Sequence, residues 1–247
     1  MAPDISIILP VYDEAKTVEK TLRVLNCLVN VSHEVVIIYD SDSDSTIPVV
    51  KKLQQEIKTL VLQKNLFGHG VVSAIKTGFK VTKTPVVCIY TADFADQPDV
   101  IDIMYQKVQQ GVDVVSGSRY IPGGKKYGGP WLQTKLSRIG NWFFRALTDF
   151  PLTDVTYSFK MYRREVVDAI TLEYDAGWVI SLEICLKAYL KGFKFSEVPA
   201  IWIARQQGES KFSLGKWLPV YLRLFFRGVW HINKNRFAKP VCLKSTL

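Results

Sequence analysis

The sequence of 247 residues predicts an α/β fold with a mostly parallel central sheet, and three observations support this prediction. Short apolar runs of strand length alternate with longer segments whose apolar residues recur at helical spacing. Polar and glycine-rich segments follow the predicted strands, at the carboxyl ends where parallel sheets bind ligands. From about residue 121 the alternation stops. We therefore expect one large α/β domain that carries additional C-terminal elements.

The predicted elements alternate as right-handed βαβ units require. The apolar run 5–9 is the first strand and ends at Pro10, and the helix 14–29 follows with apolar residues at helical spacing. The remaining elements are strand 35–39, helix 48–57, strand 60–62, helix 70–79, strand 86–90, helix 98–109, strand 112–115, helix 132–147, strand 158–162, helix 179–190 and strand 195–203. The segment 121–130, rich in Gly and Pro, is typical of a lid loop.

Composition excludes several classes of protein. With 48% hydrophobic, 12% aromatic and 22% charged residues, the chain is not a disordered tail, a collagen-like repeat or a coiled coil. No apolar run is long enough to span a bilayer, and the first residues lack a basic leader, so we expect a protein that is made and kept in the cytoplasm. The scattered cysteines predict reduced thiols and no disulfide framework or zinc site: Cys27, Cys88, Cys185 and Cys242.

The positive charge is concentrated at the C-terminal end. The net charge is +9, and no acidic residue follows Glu209. In the segment 214–233 and just beyond it, Lys216, Arg223, Arg227 and Lys234 are 7, 4 and 7 residues apart, which places them on one stripe of a helix. Trp, Tyr, Phe and Leu surround this stripe. Such a helix fits a membrane interface. The alternative is a helix packed against the domain or a dimer partner, with its basic stripe in water.

The strand 86–90 ends close to Asp93. An aspartate at a strand end can hold a divalent cation that neutralises a diphosphate, although many such residues only cap the next helix. Polar clusters at four strand ends favour the first interpretation. These clusters are 10–14, 40–44, 91–93 and 116–119.

Six short motifs occur in a fixed order along the chain. They are P-V-Y-D-E at 10–14, Y-D-S-D-S-D-S-T at 39–46, N-x-x-G-x-G-x-x-x-A-x-x-x-G-F at 65–79, T-A-D at 91–93, G-S-R-Y at 117–120 and R-x-x-G-x-S-K at 205–211. With these motifs, from residue 5 to about 213, the chain resembles the family 2 glycosyltransferases, nucleotide-sugar enzymes of the GT-A fold. Within that family it is most similar to the polyprenyl-phosphate sugar synthases typified by dolichol-phosphate mannose synthase.

The resemblance implies a nucleotide-sugar site and a metal site. It places the base and ribose pocket at Pro10, Tyr12, Glu14 and Asp40, the close approach of backbone to nucleotide at Gly68 and Gly70, and further donor contacts at Ala92 and Asp93. It implies that Asp93, with Asp96 as a second carboxylate, holds Mg²⁺ or Mn²⁺ against the donor diphosphate. A plain turn into a helix is the alternative for the two glycines.

The resemblance also implies residues for catalysis and for the acceptor. The implied catalytic residues are Asp93, which acts through the metal ion, and three cations, Arg119, Arg205 and Lys211. The cations would surround the donor and acceptor phosphates, a task that suits guanidinium groups in particular. The acceptor phosphate would meet Lys135, Arg138 and Ser210. For Lys135 and Arg138, three residues apart on one helix, an ordinary exposed surface position is the alternative.

The chain departs from the family pattern at several of these motifs. Thr91 replaces the first aspartate of D-A-D, Tyr39 replaces the first aspartate of D-D-G-S, and Ala95 stands where relatives often have a polar residue. Residues 157–159, Tyr-Ser-Phe, replace S-G-F, whereas Asp154 is kept. The loss of one carboxylate predicts weaker metal binding or a site that also depends on the diphosphate. It leaves open a homologue that binds nucleotide sugar without transferring sugar.

The implied reaction is inverting transfer of a hexose, mannose or glucose, from a GDP- or UDP-sugar to a polyprenyl (dolichyl) phosphate. The acceptor phosphate is already an anion and needs no strong general base, and Asp154 is left open as a base or a structural residue. Alternatives are transfer to a polysaccharide or protein hydroxyl, or a non-catalytic homologue. We expect a transferase domain at 1–212, a basic amphipathic tail at 213–247, a peripheral position on the cytoplasmic face of a membrane, and no nucleic-acid partner.

Overall fold

The computed structural model describes residues 2–205 and 214–238, with the side chains of 217–234 in the second range. The strands are β1 Ile5–Pro10, β2 His33–Tyr39, β3 Leu60–Lys64, β4 Val86–Ile89, β5 Val114–Ser118, β6 Lys125–Tyr127, β7 Lys160–Arg163, β8 Phe195–Pro199 and β9 Ile201–Ile203. The helices are α1 Val18–Leu28, α2 Thr46–Leu53, α3 Val71–Val81, α4 Val100–Gln109, α5 Trp131–Thr148, α6 Arg164–Asp168, α7 Ile180–Leu190 and α8 Leu214–Ala238.

Seven strands form the main sheet in the order β3-β2-β1-β4-β7-β5-β8. All neighbouring pairs are parallel except those of β7, which runs antiparallel to β4 and β5. Helices α1, α2 and α4 pack on one face, and α3, α6 and α7 pack on the other. Since both faces are covered, residues 5–9 of β1 are all buried, including Ser6, instead of alternating between buried and exposed. The predicted α/β fold with a mostly parallel sheet is confirmed.

The chain after β8 differs from the single strand predicted at 195–203. It breaks at Ala200, and β9 leaves the main sheet to pair in parallel with β6. The segment 121–130, predicted as a lid loop, therefore contains a paired strand. On its other side β9 is tied to the loop after β4, because the Ile203 N–H donates to the Ala95 carbonyl at 2.9 Å.

Helix α8 packs on the domain along one side. Its buried residues Leu224 and Ile232 join an apolar cluster with residues of α5 and α7. A Cβ atom at Gly228 would lie 2.8 Å from the Leu186 side chain, so the absence of a side chain there allows the close approach. The other side of α8 is exposed. The helix therefore combines the packed arrangement with an open face, where the sequence analysis treated these as alternatives.

In the residues that the structure describes, no helix is both long enough and apolar enough to cross a membrane.

Candidate active site

The polar segments predicted at the strand ends lie along one edge of the main sheet. The parallel register of β1 with β2 and β4 brings their carboxyl ends side by side. The loops that follow carry the residues for the proposed donor site. In two of these loops a residue other than glycine has left-handed backbone, Asp13 with φ 53° and Phe94 with φ 57°. Such strain, of order 1–3 kcal/mol, is concentrated at functional sites.

Arg205 lies between two acidic residues from different strand ends. Its Nη2 atom is 2.9 Å from Glu14 Oε1 and 3.3 Å from Asp93 Oδ2. Burial opposes the charge of Arg205, but hydrogen bonding to Glu14 and the charges of Glu14 and Asp93 raise the pKa of the guanidinium. All three side chains keep some exposure. The cluster therefore presents one cation and two carboxylates at the edge where a donor diphosphate would lie.

Thr91 links Asp93 to Asp96. Its hydroxyl oxygen lies 2.7 Å from Asp93 Oδ1 and 3.1 Å from Asp96 Oδ2, and the hydroxyl of Tyr157 donates to Asp96 Oδ1. Burial, with a smaller contribution from the charge of Asp93, raises the pKa of Asp96 to about 7. One threonine proton serves only one carboxylate. Both contacts are satisfied when Asp96 is protonated and donates to Thr91, which in turn donates to Asp93.

Asp93 and Asp96 differ in their access to a metal ion. Both carboxylates have hydrogen-bond partners at each oxygen, but Asp96 is only 4% exposed, whereas 18% of the Asp93 side chain is open to solvent. Within the described ranges, no group of three or more His, Cys, Asp or Glu residues is arranged to hold a metal. Mg²⁺ is commonly held by one or two carboxylates together with substrate phosphates. The residues present therefore fit an ion shared by Asp93 and a diphosphate, and not a site built from protein ligands alone.

Asp40 anchors the loop before α3. Its Oδ1 accepts a hydrogen bond from Asn65 Nδ2 and its Oδ2 from the Gly70 N–H, both at 2.8 Å. Gly68 and Gly70 have φ of 104° and 93°, values that side-chain-bearing residues rarely adopt, which explains glycine at both positions. Among the other residues predicted for the donor, Pro10 ends β1, Tyr12 is exposed just beyond it, and Ala92 is buried beside Asp93.

Arg119 and Asp154 form a buried ion pair. The guanidinium donates to the carboxylate through Nε at 2.7 Å and Nη2 at 2.9 Å, and Asp154 is 0% exposed. Burial opposes the charge of Arg119, but Asp154 raises the pKa of the guanidinium. The guanidinium carbon of Arg119 lies 4.3 Å from the ring centre of Tyr157 and 5.2 Å from that of Tyr120. Of the two roles left open for Asp154, this geometry favours a structural one.

A cavity of about 530 Å³ opens beside Arg119. It is lined by Arg119, Tyr120, Ile121, Pro122, Gly124, Lys125, Lys126, Tyr127, Thr134 and Arg138. Four of these lining residues are cationic and none is acidic. Arg138 lies here as the sequence predicted, whereas the Lys135 ammonium lies 4.9 Å from the ring centre of Trp131 and does not line the cavity.

Lys126 is a cavity residue that the sequence analysis missed. Its ammonium is 4.8 Å from the ring centre of Trp202, its partner in the β6–β9 register. Burial, and to a lesser extent the charge of Arg119, lower the pKa of Lys126. The only signal in the sequence was a Lys-Lys pair within the glycine-rich segment 121–130. The predicted site residues Ser210 and Lys211 lie outside the described residues.

The curated proteins that are similar to this chain include two polyprenyl-phosphate sugar synthases. A dolichol-phosphate mannosyltransferase from Pyrococcus furiosus is 30% identical over 241 residues, which cover 95% of this chain and 66% of that protein. A polyprenol monophosphomannose synthase from Mycolicibacterium smegmatis is 33% identical over 124 residues, 49% of this chain and 47% of that protein. The matched region of this chain therefore spans just under two thirds of the first relative's length and about half of the second relative's length.

The fold also matches solved structures. Glucosyl-3-phosphoglycerate synthase from Mycobacterium tuberculosis, in complex with Mn²⁺, UDP and glucosyl-3-phosphoglycerate, superposes with a TM-score of 0.69 at 14% identity. The match covers 93% of this chain and 81% of that one, and it confirms the GT-A fold. The family model for glycosyl transferase family 2 matches residues 6–171. The chain belongs to glycosyl transferase family 2.

Proposed function

We propose that the protein is an inverting hexosyltransferase that moves mannose or glucose from a GDP- or UDP-sugar to a polyprenyl phosphate at a membrane surface. The observation that carries the proposal is a pair of charged regions that Tyr157 connects, through its ring to Arg119 and through its hydroxyl to Asp96, which Thr91 links to Asp93. The Glu14–Arg205–Asp93 cluster lies at the strand ends, and the cationic cavity begins at Arg119 and includes Arg138. The names of the two curated relatives support the same acceptor class.

In this proposal the donor diphosphate lies against Asp93 and Arg205. A divalent cation, Mg²⁺ or Mn²⁺, shared by Asp93 and the diphosphate would offset the negative charge of the leaving nucleotide. Asp93 would hold the ion, and Arg205, oriented by Glu14, would donate to phosphate oxygens. The M. tuberculosis synthase has been crystallised with Mn²⁺ or with Mg²⁺ and UDP, which supports metal use within this fold.

The acceptor phosphate would occupy the cationic cavity. Arg138 and Lys126 supply positive charge there, while the charge of Arg119 is largely balanced by Asp154. A phosphate anion attacks the anomeric carbon without losing a proton to the protein, so positioning and charge complementarity provide the catalysis. Attack opposite to the leaving diphosphate inverts the configuration at that carbon.

The exposed apolar faces of α5 and α8 would bring the cavity to a membrane. Neither helix contains an acidic residue. The exposed apolar residues are Trp131, Leu132, Leu136, Ile139, Trp142, Phe143 and Leu147 on α5, and Leu218, Leu222, Phe226 and Trp230 on α8. Amphipathic helices with aromatic and basic residues bind the lipid interface. Because Arg138 belongs to both α5 and the cavity, a lipid phosphate would enter at the level of the membrane surface.

The basic stripe of α8 is partly engaged by the protein itself. Arg223, Arg227 and Lys234 are all exposed, and Arg227 also donates to the Tyr174 hydroxyl at 2.9 Å and lies 3.6 Å from Glu173. We assign residues 1–212 to the transferase domain and 213–247 to a membrane-interface tail, of which the described helix α8 packs on the domain. The protein would be peripheral, on the cytoplasmic face of the membrane.

Two assays test this function. In a thermal-shift panel, GDP, UDP, GDP-mannose and UDP-glucose are each added with Mn²⁺ or with EDTA. A ligand at a hundred times its Kd adds about 2.7 kcal/mol to the free energy of unfolding. The rise in Tm therefore shows whether the protein binds guanine or uracil nucleotides. Radiolabelled sugar transfer to polyprenyl phosphate is then compared with transfer to soluble hydroxyl acceptors, with Asp93→Asn as the inactive control. Binding without transfer to any acceptor would identify a non-catalytic homologue, and transfer to hydroxyls alone would identify the other acceptor class.

A further inference from the structure

Two of the positions that depart from the family pattern are joined in the structure through one carboxyl group. Thr91 contacts one oxygen of Asp96 at 3.1 Å, and Tyr157, which is 66 residues further along the chain, donates to the other oxygen. Thr91 also contacts Asp93 at 2.7 Å. Hydrogen bonds therefore run from Tyr157 through Asp96 and Thr91 to Asp93, the aspartate assigned to the donor diphosphate.

Tyr157 is itself held firmly. Its carbonyl accepts hydrogen bonds from the buried ammonium of Lys160 and from the Ser181 hydroxyl, the latter at 2.7 Å. The side chain is buried, and its ring lies edge-on to Phe159 with centroids 6.3 Å apart. One face of the ring contacts the Arg119 guanidinium at 4.3 Å. The tyrosine thus contacts the carboxyl group behind the donor site with its hydroxyl and the arginine beside the acceptor cavity with its ring.

We propose that Tyr157 is a positioning residue that orients Asp93 through Asp96 and Thr91 and that supports Arg119 with its ring. This inference rests on the proposed function, since it assigns Asp93 to the donor and Arg119 to the acceptor side. Without the tyrosine hydroxyl, one buried oxygen of Asp96 would lose its hydrogen-bond donor. The carboxyl group would then rotate towards a different donor. Thr91 would then lose the contact that fixes its hydroxyl on Asp93.

The substitution Tyr157→Phe tests the hydroxyl, and Tyr162→Phe is its matched control. Tyr162 is also a buried tyrosine, but its hydroxyl has no hydrogen-bond partner among the residues that the structure describes. The measured quantities are the Kd of the Mn²⁺ complex of GDP or UDP, whichever the wild type binds, and KM for donor and acceptor. We expect Tyr157→Phe to raise the Kd and the donor KM about tenfold and to leave the acceptor KM within twofold. Tyr162→Phe should change the nucleotide Kd and the donor KM by no more than about twofold.

Two further variants separate positioning from general damage. Tyr157→Leu also removes the aromatic face from Arg119, so the acceptor KM should rise together with the donor KM. In an Asp96→Leu background, Tyr157→Phe should cause no additional rise in the nucleotide Kd, because the two residues act in one chain of contacts. Thermal unfolding of each variant confirms that the protein is folded under the assay conditions.

The outcomes are distinguishable. If the wild type binds nucleotide and Tyr157→Phe binds it as tightly, the inference is overturned while the proposed function stands. An additive effect of the two substitutions overturns the route through Asp96. If the wild type binds no nucleotide, the proposed function and the inference both fail.

Discussion

Arg119 holds the buried carboxylate of Asp154 at two points, with contacts of 2.7 and 2.9 Å. The Arg119 N–H also donates to Asp154 at 3.2 Å, so one aspartate fixes both the backbone and the side chain of the arginine. Asn141 of α5 is a further neighbour of this carboxylate, at 3.4 Å. The pair thereby connects the end of β5 to the helix that lines the cationic cavity.

Breaking this pair should destabilise the protein strongly. Asp154→Asn leaves the Arg119 charge buried without its counter-charge, so we expect the free energy of unfolding to fall by about 3–5 kcal/mol. Urea denaturation of wild type and variant measures this loss. Asp113→Asn is the control, since Asp113 lies 3.6 Å from Arg163 in a more exposed pair, and it should cost less than about 1 kcal/mol. Equal losses in the two variants would contradict the buried role of Asp154.

Arg138 and Lys135 should differ in their effect on the acceptor. Arg138 lines the cavity, whereas Lys135 lies over Trp131. Arg138→Gln should raise the KM for polyprenyl phosphate about tenfold, because one charge-assisted contact to phosphate is lost. Lys135→Gln should leave the KM within about twofold. Steady-state kinetics with donor at saturation distinguishes the two, and a larger effect of Lys135→Gln would exclude the cavity as the acceptor site.

Asp96 should make stability depend on pH near neutrality. Its pKa is about 7 in the folded protein, above its ordinary value of 3.8. Below about pH 4 the Asp96 carboxyl is protonated in both the folded and the unfolded state, so its ionisation does not lower the free energy of unfolding there. As the pH rises the unfolded state ionises first, so stability falls until about pH 7 and then levels off. When the pH rises from about 5 to about 8, urea denaturation should show a larger decrease in the free energy of unfolding for wild type than for Asp96→Asn.

The same variant distinguishes a positioning role for Asp96 from direct ligation of a metal. An asparagine can accept from Tyr157 with its carbonyl and donate to Thr91 with its amide. We therefore expect Asp96→Asn to keep the affinity for the Mn²⁺–nucleotide complex within about threefold of wild type. A loss of a hundredfold, measured by isothermal titration, would show that Asp96 is itself a ligand.

Binding to lipid should depend on the exposed apolar faces of α5 and α8. Trp142 and Phe226, each 64% exposed, lie on these helices, and Ile103 on α4, 44% exposed, is a control of similar character. Trp142→Ser and Phe226→Ser should each weaken binding to vesicles that contain anionic lipid about tenfold, and Ile103→Ser should not. Co-sedimentation also reports the salt dependence, which should be steep for a basic surface. An equal loss of vesicle binding in all three variants would show that the exposed faces of α5 and α8 are not the lipid-binding surface.

The sheet and the donor loops could be predicted because their causes are local. A continuous apolar run such as 86–90 indicates a strand covered on both faces, and the polar residue after it must lie at the sheet edge. The position of Arg205 between Glu14 and Asp93 could not be predicted. It depends on β9, three residues long, leaving the main sheet to pair with β6, and strands of that length carry no clear pattern.

Burial was the second limit of the sequence analysis. Asp154 and Asp93 have the same side chain, but one is enclosed against Arg119 and the other is partly open, and only tertiary packing distinguishes them. The same holds for α8. Its apolar residues surround the helix, so the pattern could not tell which side packs on α5 and α7 and which stays exposed.

Strand β9 has both of its edges in use. One edge is paired with β6, and the other donates from Ile203 to the Ala95 carbonyl. Because β9 is three residues long and hydrogen-bonded on both edges, a slip of one residue would break contacts on both sides at once. Strand β9 therefore connects the loop that carries Asp93 to strand β6, which carries Lys126. Engineered insertions or circular permutation at β9 would disturb both at once. They are better placed in the turn before β3, at the end of the strand opposite the donor loops.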